Sequence, residues 1–120
     1  GGVDAIVYAM WAHYSSDLLL IEACRALSSL AVNVQTNEVM IASEGEIGAI
    51  MSAMRRFPDS ERLQEHACVA IRNFLLSADN VAIVRPHAAE LEKLMNLASA
   101  KFPDRCSERA KQVRASLFAS

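Results

Sequence analysis

Apolar residues recur every three to four positions along nearly the whole chain, and the breaks in that rhythm carry helix-ending chemistry. Val3, Ile6, Val7, Met10 and Tyr14 keep helical spacing, which predicts a helix from Val3 to about His13. Ser15-Ser16-Asp17 then supplies an N-cap and an acidic first turn. The next helix carries Leu19, Ala23, Ala26, Leu27 and Leu30 on one stripe and ends near Ala31. Asn33 to Thr36 reads as a turn, and a short helix is expected from about Asn37 to Ser43, broken by Gly45. The order then starts again. A helix over about Ile47 to Arg56 stops at Pro58-Asp59-Ser60, and a long one follows from Glu61 to about Ser77. Asp79 or Asn80 is expected to cap a short helix, Val81 to Arg85, near Pro86. Ala89 to Ala100 is helical, Phe102-Pro103-Asp104 restates Phe57-Pro58-Asp59, and a last helix covers about Arg105 to Phe118. Its apolar stripe is narrow, Ala110, Val113, Leu117 and Phe118, and the rest is polar.

The restart is an internal repeat. Gly1 to Ala31 lies on Gly45 to Leu75 without a gap, a period of 44 residues. Identical pairs are Gly1/Gly45, Ala5/Ala49, Ile6/Ile50, Ala9/Ala53, Met10/Met54, Ser16/Ser60, Leu19/Leu63, Ala23/Ala67, Cys24/Cys68 and Ala26/Ala70. A period of this length points to stacked helical units. Such stacks act by presenting a surface. The units fall at about 1–35, 36–78 and 79–120, all within a single domain, and a polar last helix suits a terminal capping unit.

Composition narrows the classes. An apolar content of 52% with few glycines and prolines fits an all-α domain of 120 residues. A net charge of −2 and no basic cluster beyond Arg55-Arg56 argue against nucleic acid as partner. No apolar run is long enough to span a membrane. Three scattered cysteines make neither a metal spacing nor a disulfide framework, which favours a reducing, intracellular setting, the cytoplasm or the nucleus. Cys24 and Cys68 read as small core residues, and Cys106 as an exposed one. His13, His66 and His87 share no ligand geometry, and acid pairs such as Glu44/Glu46 serve helix starts. No phosphate loop, nucleophile elbow or metal motif appears. The expectation is a non-enzyme without metal or cofactor.

One short and two long helices per unit resemble the armadillo repeat. The stretch from Asn37 to Ile47 is similar to the family's short first helix and glycine corner, Gly45 to Met54 to its second helix, and Glu65 to Leu75 to its third. The resemblance implies an all-α, right-handed superhelix (an α-α solenoid) and protein–protein interaction. Gly1-Gly2-Val3 aligns with the glycine corner, so the chain is expected to start inside a repeat, as a stretch of a longer array; a cloning remnant is the other origin for the two glycines.

Armadillo grooves hold extended peptides through a recurrent asparagine on the third helix, whose amide both donates and accepts. Asn73 matches it, with Ser29 and, approximately, Ser116 at the related positions. Val69 and Arg25 stand where the family carries a groove tryptophan, and Arg72 adds charge beside Asn73. The expected partner groove is therefore Asn73, Ser29, Arg72 and Val69.

Aligned differences point to a second surface. Tyr8, Trp11, Ala12, Leu18, Leu20 and Ile21 replace Ser52, Arg55, Arg56, Arg62, Gln64 and Glu65. If those positions face water in the second unit, Tyr8, Trp11, Leu18, Leu20 and Ile21 form an apolar patch in the first. Full burial of each large side chain is worth ~1.5–3 kcal/mol. The patch is expected to be covered by a homodimer partner or by missing upstream repeats.

Overall fold

Serine sets three of the helix starts in the computed structural model, which describes residues 2–118 except 34, 37 and 41. Helix α1 is Gly2–Ala12, and α2 is Asp17–Leu30. The Ser16 hydroxyl accepts from Leu19 N at 3.3 Å and opens α2. Helix α3 is Glu44–Arg56 and α4 is Glu61–Phe74. Ser43 and Glu46 form a reciprocal capping box, Oγ accepting from Glu46 N at 3.2 Å and Oε1 from Ser43 N at 3.1 Å. Ser60 accepts from Leu63 N at 3.4 Å. A short α5, Ala78–Val84, runs into a single 3₁₀ turn, and α6 (Ala88–Lys101) and α7 (Pro103–Phe118) complete the chain. Pro103 stands at the first position of α7, where a missing N–H costs nothing.

The long helices pack in pairs, α1 with α2, α3 with α4 and α6 with α7, and the pairs stack. Helices α2, α4 and α7 make one row; α1, α3 and α6 make the other. Leu27, Ile47, Ile50, Leu63, Ile71, Leu91 and Met95 are wholly buried between the rows. Cys24, Ala67, Cys68 and Ala70 keep the α2, α4 and α7 row close because they are small and equally buried. The radius of gyration is 13.0 Å. Three stacked pairs are thus no more extended than an ordinary domain of this length, for which about 13–14 Å is expected.

Several expectations are corrected. No helix forms at the Asn37–Ser43 position among the described residues. Two strands, β1 (Val32–Asn33) and β2 (Glu38–Val39), pair antiparallel instead. Asn33 drives this: its Oδ1 accepts from Gln35 N at 3.0 Å and Thr36 N at 3.2 Å, closing a turn that sends the chain back. Met40 N then donates to Ala31 O at 2.7 Å. Gly45 is no corner; the capping box starts α3 one residue before it. Helix α4 stops at Phe74 rather than Ser77. Asn80 caps nothing. It is fully buried, its Nδ2 donating to Met40 O at 2.8 Å and Phe74 O at 2.9 Å while its Oδ1 accepts from Ala42 N at 2.7 Å. Cys106 is buried as deeply as Cys24 and Cys68, and Phe118 is exposed.

Candidate interaction surface

The α2–α4–α7 row brings the expected groove residues together. Position 73 lies on the solvent-side stripe of α4, one turn beyond Val69, and both are half-buried. Asn73 Nδ2 donates to Ser28 O at 2.9 Å, tying α4 to the last turn of α2. Ser29, the next residue, is exposed and lines an open cleft with Leu30, Val32, Asn33, Gln35, Glu38, Val39 and Met40. The cleft measures about 620 Å³. One amide hydrogen of Asn73 is therefore spent inside the fold, and its carbonyl oxygen accepts from no described residue. Arg72 is half-buried, and its Nε is buried without a hydrogen-bond partner among the described residues. Arg25 lies exposed and pairs with Glu22 on its own helix at 3.6 Å. Ser116 is half-buried on α7. Chemically this row offers a main-chain-pairing amide, a hydroxyl and two guanidinium groups.

The N-terminal patch is reshaped. Tyr8, Trp11 and Leu18 are exposed at 76%, 49% and 69%. Tyr14 joins them at the α1–α2 corner, its ring 4.2 Å beneath the Arg56 guanidinium, whose Nε donates to Tyr14 O at 3.1 Å. Leu20 and Ile21 do not belong to the patch, because both are buried. Their aligned partners explain the error. Gln64 is polar yet buried: its Nε2 donates to Met54 O and Phe57 O, each at 3.0 Å, and satisfies the open carbonyls that end α3. Leu20 fills that inward position without the hydrogen bonds. Glu65 points at the following pair and meets Arg105 of α7 at 3.2 Å, so the aligned Ile21 points at α4. A polar residue in one copy did not mean a solvent-facing position.

Two features escape sequence reading. Asn80 looks like a cap in its local string Ser-Ala-Asp-Asn-Val, and nothing local signals partners some 40 residues away. The three thiols form a buried series across α2, α4 and α7. Cys68 donates to the Met95 sulfur at 3.7 Å. Its hydrogen bond with Cys106, together with burial, pushes the Cys68 thiol far above its ordinary value. Burial pushes Cys24 up to about 12. Cys24 and Cys68 are inert, neutral thiols, whereas the hydrogen bond with Cys68 draws the Cys106 thiol below its ordinary value against the opposing effect of burial.

Among the described residues no helix is long and apolar enough to cross a membrane. No protein-family model matches the chain, and no solved structure matches it. A 51-residue stretch, 42% of the chain, is 39% identical to the Beta-catenin-like protein hmp-2 of Caenorhabditis elegans. The chain spans 8% of that protein's length, so the likeness is to a small portion of a much larger molecule.

Proposed function

We propose that this chain is a protein-interaction module of the armadillo type, without catalysis, whose helix pairs wind as a right-handed solenoid. It holds an extended segment of a partner protein across the α2–α4–α7 row, in a reducing intracellular compartment. The observation that carries the reading is the two-row stack of helix pairs repeating at the 44-residue period. The partial likeness to a beta-catenin-like protein supports it. Asn73 is the centre of the proposed groove, because its amide sits where one helix of the row meets the next and keeps an acceptor for a main-chain N–H. A peptide-display screen against the wild-type chain tests this. Selected peptides should bind Asn73→Ala at least ~10-fold more weakly, the loss of about 1.4 kcal/mol that one such hydrogen bond supplies. Peptides indifferent to the substitution would remove Asn73 from the role.

A second reading, self-association through the N-terminal helices, is favoured by the exposure of Tyr8, Trp11 and Leu18. Apolar groups gathered at one corner are the usual mark of a contact surface.

A further inference from the structure

A cavity of about 420 Å³ opens at the seam between the second helix pair and α6. Leu94, Leu97, Ala98 and Lys101, one stripe of α6 at helical spacing, form one wall. Met54, Arg55 and Pro58 at the end of α3, with Gln64 of α4, form the other. Leu97 is 59% exposed there. Gln64 gives these walls a polar function. Its Nε2 is spent on Met54 O and Phe57 O, whereas its Oε1 accepts from no described residue and stays open to solvent. The rim is electrically balanced, because Arg55 pairs with Glu90 and Lys101 with Asp59. The volume is at the small end of the ~300–1,000 Å³ typical of ligand sites. The place suits a neutral, compact, largely apolar group with one hydrogen-bond donor.

The preceding seam shows which group that is. Phe102-Pro103-Asp104 repeats Phe57-Pro58-Asp59 at an offset of 45 residues. The helices before them end alike, at φ −127°, ψ 61° for Phe57 and φ −129°, ψ 65° for Phe102. Lys101 therefore matches Arg56. At the 44-residue offset Arg55 and Pro58 match Trp11 and Tyr14. In the first seam the Arg56 guanidinium lies 4.2 Å over the Tyr14 ring, and its Nε donates to the main-chain carbonyl of the same residue at 3.1 Å. In the second seam Arg55 and Pro58 bring no aromatic ring, and Lys101 turns to the Asp59 carboxylate. The cation is kept; the ring beneath it is not.

We propose that this cavity anchors the ring of a tyrosine or tryptophan supplied by a partner protein, beneath Lys101 and Arg55, with the ring's O–H or N–H donated to Gln64 Oε1. Phenol and indole each present a π-face to a cation and one donor at the ring edge. A residue in a peptide is the occupant because the matching cation in the first seam holds a ring and that residue's own carbonyl together. The proposal rests on the protein-interaction reading above and adds a contact about 13 Å along α4 from Asn73, at ~1.5 Å per residue.

Methyl-detected NMR of the full chain, titrated with the N-acetyl amides of tyrosine, tryptophan and leucine, tests it. The two aromatic amides should shift the Met54, Leu94 and Leu97 methyls with Kd of roughly 0.1–1 mM, the strength open to so small a group, and the leucine amide should bind ~5-fold more weakly or worse. Lys101→Ala, at an exposed site, should weaken both aromatic amides ~3-fold or more. Gln64→Leu, which copies Leu20 of the first unit, should weaken them by a similar factor with the circular dichroism unchanged. Should Gln64→Leu loosen the α3–α4 corner, Leu97→Asp, also at an exposed site, should abolish the shifts by itself. Equal binding of the leucine amide, or no methyl shift up to about 10 mM probe, overturns the anchor and leaves the groove to be judged by Asn73→Ala. Free indole that binds where the amides do not makes the occupant a small molecule. Shifts of these methyls with chain concentration alone make it a second copy. Either result overturns the partner anchor.

Discussion

Glu46 shows how one residue can serve a helix start and strain it at once. Its Oε1 completes the capping box, yet it is almost entirely buried and its Oε2 finds no partner among the described residues. Burial raises the carboxyl above its ordinary value, the hydrogen bonds from Ser43 oppose this, and Asp4 adds to the rise. The folded chain therefore holds this proton more tightly than the unfolded one. The contribution is fully present below the unfolded range, near pH 4, and is lost as pH rises through the folded pKa. Glu46→Gln keeps an oxygen for Ser43 and offers an amide toward Asp4. Its melting temperature, relative to wild type, should be higher at pH 7 than at pH 4 by a few degrees, as scanning calorimetry would measure. An equal difference at both values would mean that Glu46 is solvated.

Among the elements, the β1–β2 ladder is the one that local propensity least explains. Two residues per strand cannot hold a sheet alone. Asn80, one turn into α5, does what the strands cannot: it grips the chain on either side of residue 41 and the end of α4 with one side chain. Asn80→Ala leaves the Ala42 N–H and the Met40 and Phe74 carbonyls without that partner in a buried place. The expected loss is about 3 kcal/mol, read as a lower urea midpoint with an unchanged slope. A loss under ~0.5 kcal/mol would show that the hairpin is held otherwise. Asn73 has a related role near the end of α4, linking that helix to α2, which is why only some of its amide's bonding capacity remains for a partner.

At the scale of the molecule the two rows bury every thiol. Cys24, Cys68 and Cys106 are each 0% exposed, on three successive helices of one row. A labelling reagent can reach them only when the row opens, and the raised Cys24 and Cys68 values keep them protonated until it does. Labelling by a thiol reagent at neutral pH should be at least ~10³-fold slower in the folded chain than in urea, with the three sites slowed together. Fast modification of Cys106 alone would mean that α7 frays from the stack.

Most helices, their order and many of their boundaries were legible in the sequence because they depend on neighbours three and four residues apart. Ser16, Ser60 and Pro58 act on the residues beside them, and the 44-residue repeat declares that the pairs stack. The shared residues, from Ile50 to Ala70, announced the core. Tertiary structure decided the rest. Asn33 and Asn80 turned an expected helix into a hairpin through partners that no local window contains. Gln64 and Leu20 occupy the same inward position, because an amide aimed at open carbonyls is as buried as a leucine. Of the expected surfaces, Asn73 bonds the carbonyl of Ser28, the residue before Ser29, while the apolar patch lost Leu20 and Ile21 to the core. Sequence determines what each side chain can satisfy; only the packed neighbour decides whether water or protein satisfies it.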